Sequence, residues 1–219
     1  MAKVGVVLSG CGVYDGSEIH EAVCTLLALD RAGAEAICMA PDVDQAVVNH
    51  LTGEEIPGAS RNVLEESARI ARGNIRNITD VKAGDLDALI FPGGFGAAKS
   101  LCSFATKGTE CTANPDVARL VREVVAANKP LAAICIAPAL IARILGDDKR
   151  APSLTVGTDP ATAEALETMG AQHVNCPVTE FVVDKDNKLV STPAYMLAGS
   201  IKEAAEGIEK TVQAVLDLI

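Results

Sequence analysis

Ala133-Ile134-Cys135-Ile136-Ala137-Pro138 closes one kind of segment and opens another. The apolar run Pro130–Cys135 before it reads as a buried strand, and Ala137–Leu145 after it carries helical spacing. Cys135 stands at the junction with an alanine two positions to either side. Small side chains there let a tight strand-to-helix turn push a nucleophile into the open. Pro138 suits a first helical turn, where its missing N–H costs nothing. Cys135 is therefore expected over a helix N-terminus, whose partial positive charge favours a thiolate. A packed core cysteine is the simpler reading of such a residue; the flanking alanines and the proline favour the nucleophile.

The same alternation extends along the chain. Lys3–Ser9 and Ala34–Ala40 read as buried strands, with a helix between them carrying Ile19, Ala22, Val23, Leu26 and Leu27 and ending at Gly33. Residues 41–60, rich in Pro, Gly, Asn and Asp, read as an excursion with little regular structure. Further helices are expected over Asn62–Arg72, Asn114–Ala127 and Ala161–Met169, with strands at Leu86–Phe91 and Leu154–Gly157. Val178–Val183 and Lys188–Thr192 read as a hairpin, and Ser200–Leu218 as a closing helix. Strand–helix alternation predicts one α/β domain over residues 1–219, a flavodoxin-like three-layer sandwich with a mainly parallel sheet and a nucleophile elbow. Ligands in such sheets bind outside the carboxyl ends of the strands.

Two other strand ends carry unusual residues. Phe91-Pro92-Gly93-Gly94-Phe95-Gly96 frees backbone N–H groups to face a ligand, as an oxyanion hole requires. Ala97-Ala98-Lys99 follows, so neither a dinucleotide fingerprint nor a phosphate-binding Walker loop is present. The first strand runs into Ser9-Gly10-Cys11-Gly12, then Ser17-Glu18-Ile19-His20-Glu21. Glu18 and Glu21 can share one helix face. A carboxyl beside a thiolate is expected to be protonated and to donate to it; the simpler reading is acidic residues complementing a helix dipole. Cys11, near the same sheet edge, is a secondary candidate.

Composition removes other classes. The chain has 219 residues, a 49% apolar content and a formal charge of −10. A polyanion would be repelled by such a surface, which argues against nucleic acid or an anionic membrane as partner. Aromatic content of 3% leaves little for base stacking. Seven scattered cysteines and three isolated histidines show no zinc-site spacing. No metal or other cofactor is implied. Lys3 is followed by too short an apolar run for a signal segment, and unpaired cysteines favour a reducing compartment, so a cytoplasmic protein is expected.

Taken together, Phe91-Pro92-Gly93-Gly94, Ala133-Ile134-Cys135-Ile136-Ala137-Pro138 and the opening Leu8–Glu21 segment resemble the PfpI-like superfamily of class I glutamine amidotransferase-like proteins. With Thr192-Pro193-Ala194-Tyr195-Met196, they are more specifically similar to the ElbB family, also called sigma cross-reacting or enhancing lycopene biosynthesis proteins. The resemblance spans essentially the whole chain. It implies Cys135 as nucleophile, Glu21 (twelve residues before Gly33) as the glutamate contacting it, and the Gly94 and Ile136 backbone as oxyanion donors. It implies a glutathione-independent glyoxalase converting glyoxal to glycolate, an activity that can reflect protein deglycation, acting on a small aldehyde or dicarbonyl, and a homodimer.

The chain departs from the pattern in three places. Ile136 stands where many family proteases have histidine. Thr158-Asp159-Pro160 stands where a relative has His-Pro, which makes Asp159 a secondary candidate. No His-x-Glu element begins at His20, His50 or His173. Amide hydrolysis needs such a base; addition of a thiol to an aldehyde does not. Two rival readings stand beside the glyoxalase. One is a non-enzymatic redox-sensing or partner-binding protein acting through Cys135. The other is a degenerate amidotransferase-like protein linked to isoprenoid biosynthesis.

Overall fold

The computed structural model describes residues 1–219. In chain order its elements are β1 (Lys3–Val7), α1 (Ile19–Arg31), β2 (Glu35–Ala40), β3 (Asp44–Asn49), β4 (Glu54–Asn62), α2 (Val63–Ile70), β5 (Arg76–Asn77), β6 (Ala88–Phe91), α3 (Phe95–Lys99) and α4 (Phe104–Lys107). There follow α5 (Pro115–Ala126), β7 (Leu131–Ile134), α6 (Pro138–Asp147), β8 (Ser153–Leu154), α7 (Pro160–Thr168), β9 (Gln172–His173), β10 (Val182–Asp184), β11 (Leu189–Thr192) and α8 (Ile201–Asp217).

The central sheet runs β10-β11-β7-β6-β1-β2-β5, and every pairing except β10 with β11 is parallel. Its five middle strands follow the flavodoxin order. β1, β6 and β7 are almost wholly buried, as apolar strands covered on both faces must be. Two separate cores account for this. One packs α5 and α6 on the sheet through Val117, Leu120, Val121, Leu140 and Ile141. The other packs α1 and α8 on the opposite face through Ala22, Leu29, Ile208 and Val212. The flavodoxin-like three-layer architecture is therefore as the alternation implies.

One stretch differs from the expectation. Residues 44–62 are not irregular but form the antiparallel hairpin β3–β4, with a register shift between Ala46 and Val48. β4 is largely exposed and contains Pro57 and Gly58, so it lacks the alternating apolar residues by which a half-buried strand is recognised. No helix is long and apolar enough to cross a membrane.

Candidate active site

The carboxyl ends of β1, β6, β7 and β11 converge, and each contributes one piece of a single site. From β7 the chain turns through Cys135, whose φ of +62° is a left-handed conformation unusual for a residue with a side chain. Cys135 N–H donates to the Thr192 carbonyl at 3.0 Å, and Ala137 N–H to Ile134 at 3.0 Å, which fixes the turn before Pro138 starts α6. This is the strained elbow expected at that position.

β6 delivers Gly93 and Gly94. A Cβ on Gly93 would lie 2.5 Å from the Cys135 Cβ and 2.6 Å from Glu21 Oε2, so only glycine lets these two groups approach. Gly94 has φ +94°, and a Cβ there would strike the Glu18 nitrogen. The backbone amides of Gly94 and Ile136 favour the ionised form of the Cys135 sulfur.

The turn after β1 leads into α1, which delivers the two glutamates to different tasks. Glu18 is the helix cap, its Oε2 accepting from Glu21 N–H at 2.7 Å. Glu21 is fully buried and meets the thiol. Gly93 N–H donates to Glu21 Oε2 at 2.9 Å and Tyr195 N–H to Oε1 at 3.1 Å. Burial, reinforced by the Glu18 charge, pushes Glu21 up to about 7 despite those donors. Burial first, then the Glu21 carboxylate, holds the Cys135 thiol well above its ordinary range. The Gly94 and Ile136 amides oppose this and are outweighed.

The expected charge distribution is thereby reversed. The helix N-terminus does not make Cys135 a standing thiolate. The thiol keeps its proton beside Glu21, because desolvation of a buried sulfur anion exceeds what one helix end supplies.

A cavity of about 370 Å³ opens onto the thiol. Its lining includes Val13, Glu18, Gly94, Phe95, Phe104, Ala105, Cys135, Ile136, Thr162, Tyr195 and Met196. Cys11 and Asp159 are absent from that lining. Cys11 is half-buried among Glu66, Arg69, Asp15 and Arg61, with its thiol raised by burial. Asp159 caps α7, accepting from Thr162 N–H at 2.9 Å and Thr162 Oγ1 at 2.5 Å, and so holds in place a residue that does line the cavity. Neither lines the cavity that opens onto Cys135.

No histidine meets the thiol or Glu21. His20 Nδ1 pairs with the Tyr195 hydroxyl at 2.8 Å on the exposed side of α1. His173 Nε2 accepts from Val156 N–H at 3.3 Å. His50 lies against Asp15 and Tyr14. Sequence reasoning missed the Tyr195 contribution, since a backbone N–H carries no side-chain signature. It also missed the walls supplied by Phe104, Ala105 and Thr162. No group of three or more His, Cys, Asp or Glu side chains is placed to hold a metal ion.

The model of the DJ-1/PfpI family matches residues 11–196, a span that contains every element of this site. The chain belongs to the DJ-1/PfpI family. Glutamine amidotransferase-like class 1 domain-containing protein 3, mitochondrial, of Homo sapiens is 47% identical over 227 residues, covering 99% of this chain and 83% of its own length. The ES1 protein homolog, mitochondrial, of Rattus norvegicus is also 47% identical, with 99% and 84% covered. Among solved structures, an isoprenoid biosynthesis protein with amidotransferase-like domain from Ehrlichia chaffeensis superposes with a TM-score of 0.91 at 36% identity, covering 99% of this chain and all of its own.

For this DJ-1/PfpI chain the relatives correct one expectation. Scattered cysteines and the short apolar run after Lys3 point to the cytoplasm, whereas the human and rat relatives are mitochondrial proteins. Cysteine spacing reports a reducing environment, and that property does not separate one reducing compartment from another.

Proposed function

We propose that this DJ-1/PfpI chain is a glutathione-independent, glyoxalase-like enzyme of the ElbB type, with Cys135 as nucleophile and Glu21 as the proton carrier. The observation that carries the reading is the isolated Cys135–Glu21 pair. It has one carboxyl near neutrality, two backbone amides that favour the ionised sulfur and no histidine bonded to either group.

Such a pair suits an aldehyde. The sulfur adds to one carbonyl carbon of glyoxal as Glu21 takes the thiol proton, and that proton passes to the new oxyanion, giving a hemithioacetal. The Gly94 and Ile136 N–H groups are assigned to bind that oxygen. Glu21 then removes the proton from the sulfur-bearing carbon and returns it to the neighbouring carbon. The electron pair of the broken C–H bond moves through an enediol, and a glycolyl thioester results. Water attacks the thioester, the C–S bond breaks, the sulfur regains a proton, and glycolate leaves. A carboxyl near 7 both accepts and donates protons at neutral pH. The cavity is far larger than glyoxal, which supports aldehydes carried on bulkier molecules as further substrates.

Quenching the reaction with acid and mapping the Cys135 peptide tests this route. A glycolyl adduct on Cys135 is expected, and its absence during turnover would rule the thioester out. The likeness to the Ehrlichia protein favours a second reading, a degenerate amidotransferase-like protein serving isoprenoid biosynthesis through a partner. That reading requires no turnover of glyoxal at all.

A further inference from the structure

Two other thiols meet away from the Cys135 cavity. Cys102 and Ala113 form an antiparallel bridge, flanked by Ser103 N–H donating to Thr112 at 3.0 Å and Asn114 N–H to Leu101 at 2.8 Å. Residues opposite one another in such a pair share a face, as do their diagonal neighbours. Cys111 is therefore one diagonal step from Cys102, and both side chains are buried in the same core. The buried Cys102 thiol donates to the Ala97 carbonyl at 3.4 Å. Cys111 Sγ lies 3.6 Å from the Met169 sulfur and forms part of the wall of a separate, open cavity of about 540 Å³, with Arg122 and Arg143 beside it. Both cysteines are free thiols.

Their surroundings make them chemically unequal. The neighbouring Cys102 thiol, helped by the Arg143 guanidinium and opposed by burial, holds Cys111 down to about 7. The same pairing, with burial, pushes Cys102 up. A partly ionised thiol on a cavity wall beside a protonated one separates an attacking sulfur from a resolving sulfur.

We propose that Cys102 and Cys111 form a redox-active dithiol, oxidised to an intramolecular disulfide by small hydroperoxides that enter the cavity walled by Cys111 and Arg143. The Cys111 sulfur attacks the peroxide, the O–O bond breaks, water or an alcohol leaves, and a sulfenic acid remains. The Cys102 sulfur then attacks it, the S–S bond forms, the S–O bond breaks, and a second water departs. The two electrons lost by the thiols reduce the peroxide. The loop closed in this way carries Phe104 and Ala105, which line the Cys135 cavity, so the disulfide also constrains one wall of that site.

Tryptic cleavage at Lys99, Lys107 and Arg119 places Cys102 and Cys111 on adjacent but separate peptides. Fully reduced protein is exposed to hydrogen peroxide, its remaining thiols are blocked, and it is digested without reductant. The expected result is those two peptides joined, with two of the seven thiols lost and recovered by dithiothreitol. In Cys102→Ser, oxidation stops at a Cys111 sulfenic acid that dimedone captures; in Cys111→Ser, Cys102 stays a free thiol. The readout is independent of aldehyde turnover. Peptides that remain unlinked while Cys135 oxidises, or a link from Cys111 to another cysteine, overturn the proposal.

Discussion

The contact between Cys135 and Glu21 is asymmetric: the thiol proton stabilises the carboxylate, while the carboxylate charge keeps that proton on sulfur. The negative charge of the pair rests on Glu21 and reaches the sulfur only when the proton moves. Chemistry at this site therefore waits for an electrophile to draw the sulfur forward.

Glu21→Gln removes the charge that holds the thiol proton. The pH profile of Cys135 alkylation should move to lower pH, while glyoxal turnover falls ~10²–10⁴-fold with the loss of general acid–base help. Gln presents one oxygen to two backbone donors, Gly93 and Tyr195, so stability should also drop by roughly 1–3 kcal/mol. Glu18→Gln keeps an oxygen for its single capping donor, Glu21 N–H, so stability should hold and turnover should change less than in Glu21→Gln. A larger kinetic effect at Glu18 would make it the partner of the thiol.

These residues also mark what the sequence makes legible. The elbow could be read from Ala133, Cys135, Ala137 and Pro138 because small flanking residues and a helix-starting proline are local requirements. Spacing places Glu18 and Glu21 on one helix without saying which points inward, and only the family resemblance singles out Glu21. The ionisation of Cys135 was misread because it depends on burial, a property of the whole sheet. Asp159 and Cys11 lie close in sequence to strand ends yet face other neighbours. The hairpin β3–β4 escaped notice because exposed, polar strands have no apolar period.

Stability should depend on pH through Glu21. Its pKa is raised in the folded state from an ordinary 4.5 to about 7, so the native state binds this proton more tightly than the unfolded chain. Its contribution is fully present below pH 4.5 and is lost as pH rises through about 7. The loss amounts to on the order of 3 kcal/mol. Urea midpoints measured across that window should fall for wild type relative to Glu21→Gln. Parallel curves for the two proteins would contradict the raised pKa.

Gly93→Ala would place a Cβ against Cys135, Glu21 Oε2 and the Ile134 carbonyl at once. Overpacking here should cost about 1–3 kcal/mol and abolish aldehyde turnover by separating the pair. Gly84→Ala meets nothing within 4 Å and serves as the control, with activity unchanged. Near-normal turnover in Gly93→Ala would mean that close approach of the two groups is not required.

Amides should resist this site. An amide is less electrophilic than an aldehyde and needs its leaving amine protonated, yet no histidine meets Cys135. Glutaminase and peptidase activities should equal those of Cys135→Ser. Ile136→His alone should not restore them, because that imidazole would lack an orienting carboxylate. Ammonia release from glutamine that depends on Cys135 would put amidotransferase chemistry first.

Steady-state production of glycolate from glyoxal, without glutathione, by reduced wild type and by Cys135→Ser is the most direct test of the proposed function. The account predicts sustained turnover by wild type and background rates in the serine variant, which keeps the elbow and the cavity but has a far less acidic nucleophile. Equal rates in the two proteins, or no glycolate from wild type, would contradict it.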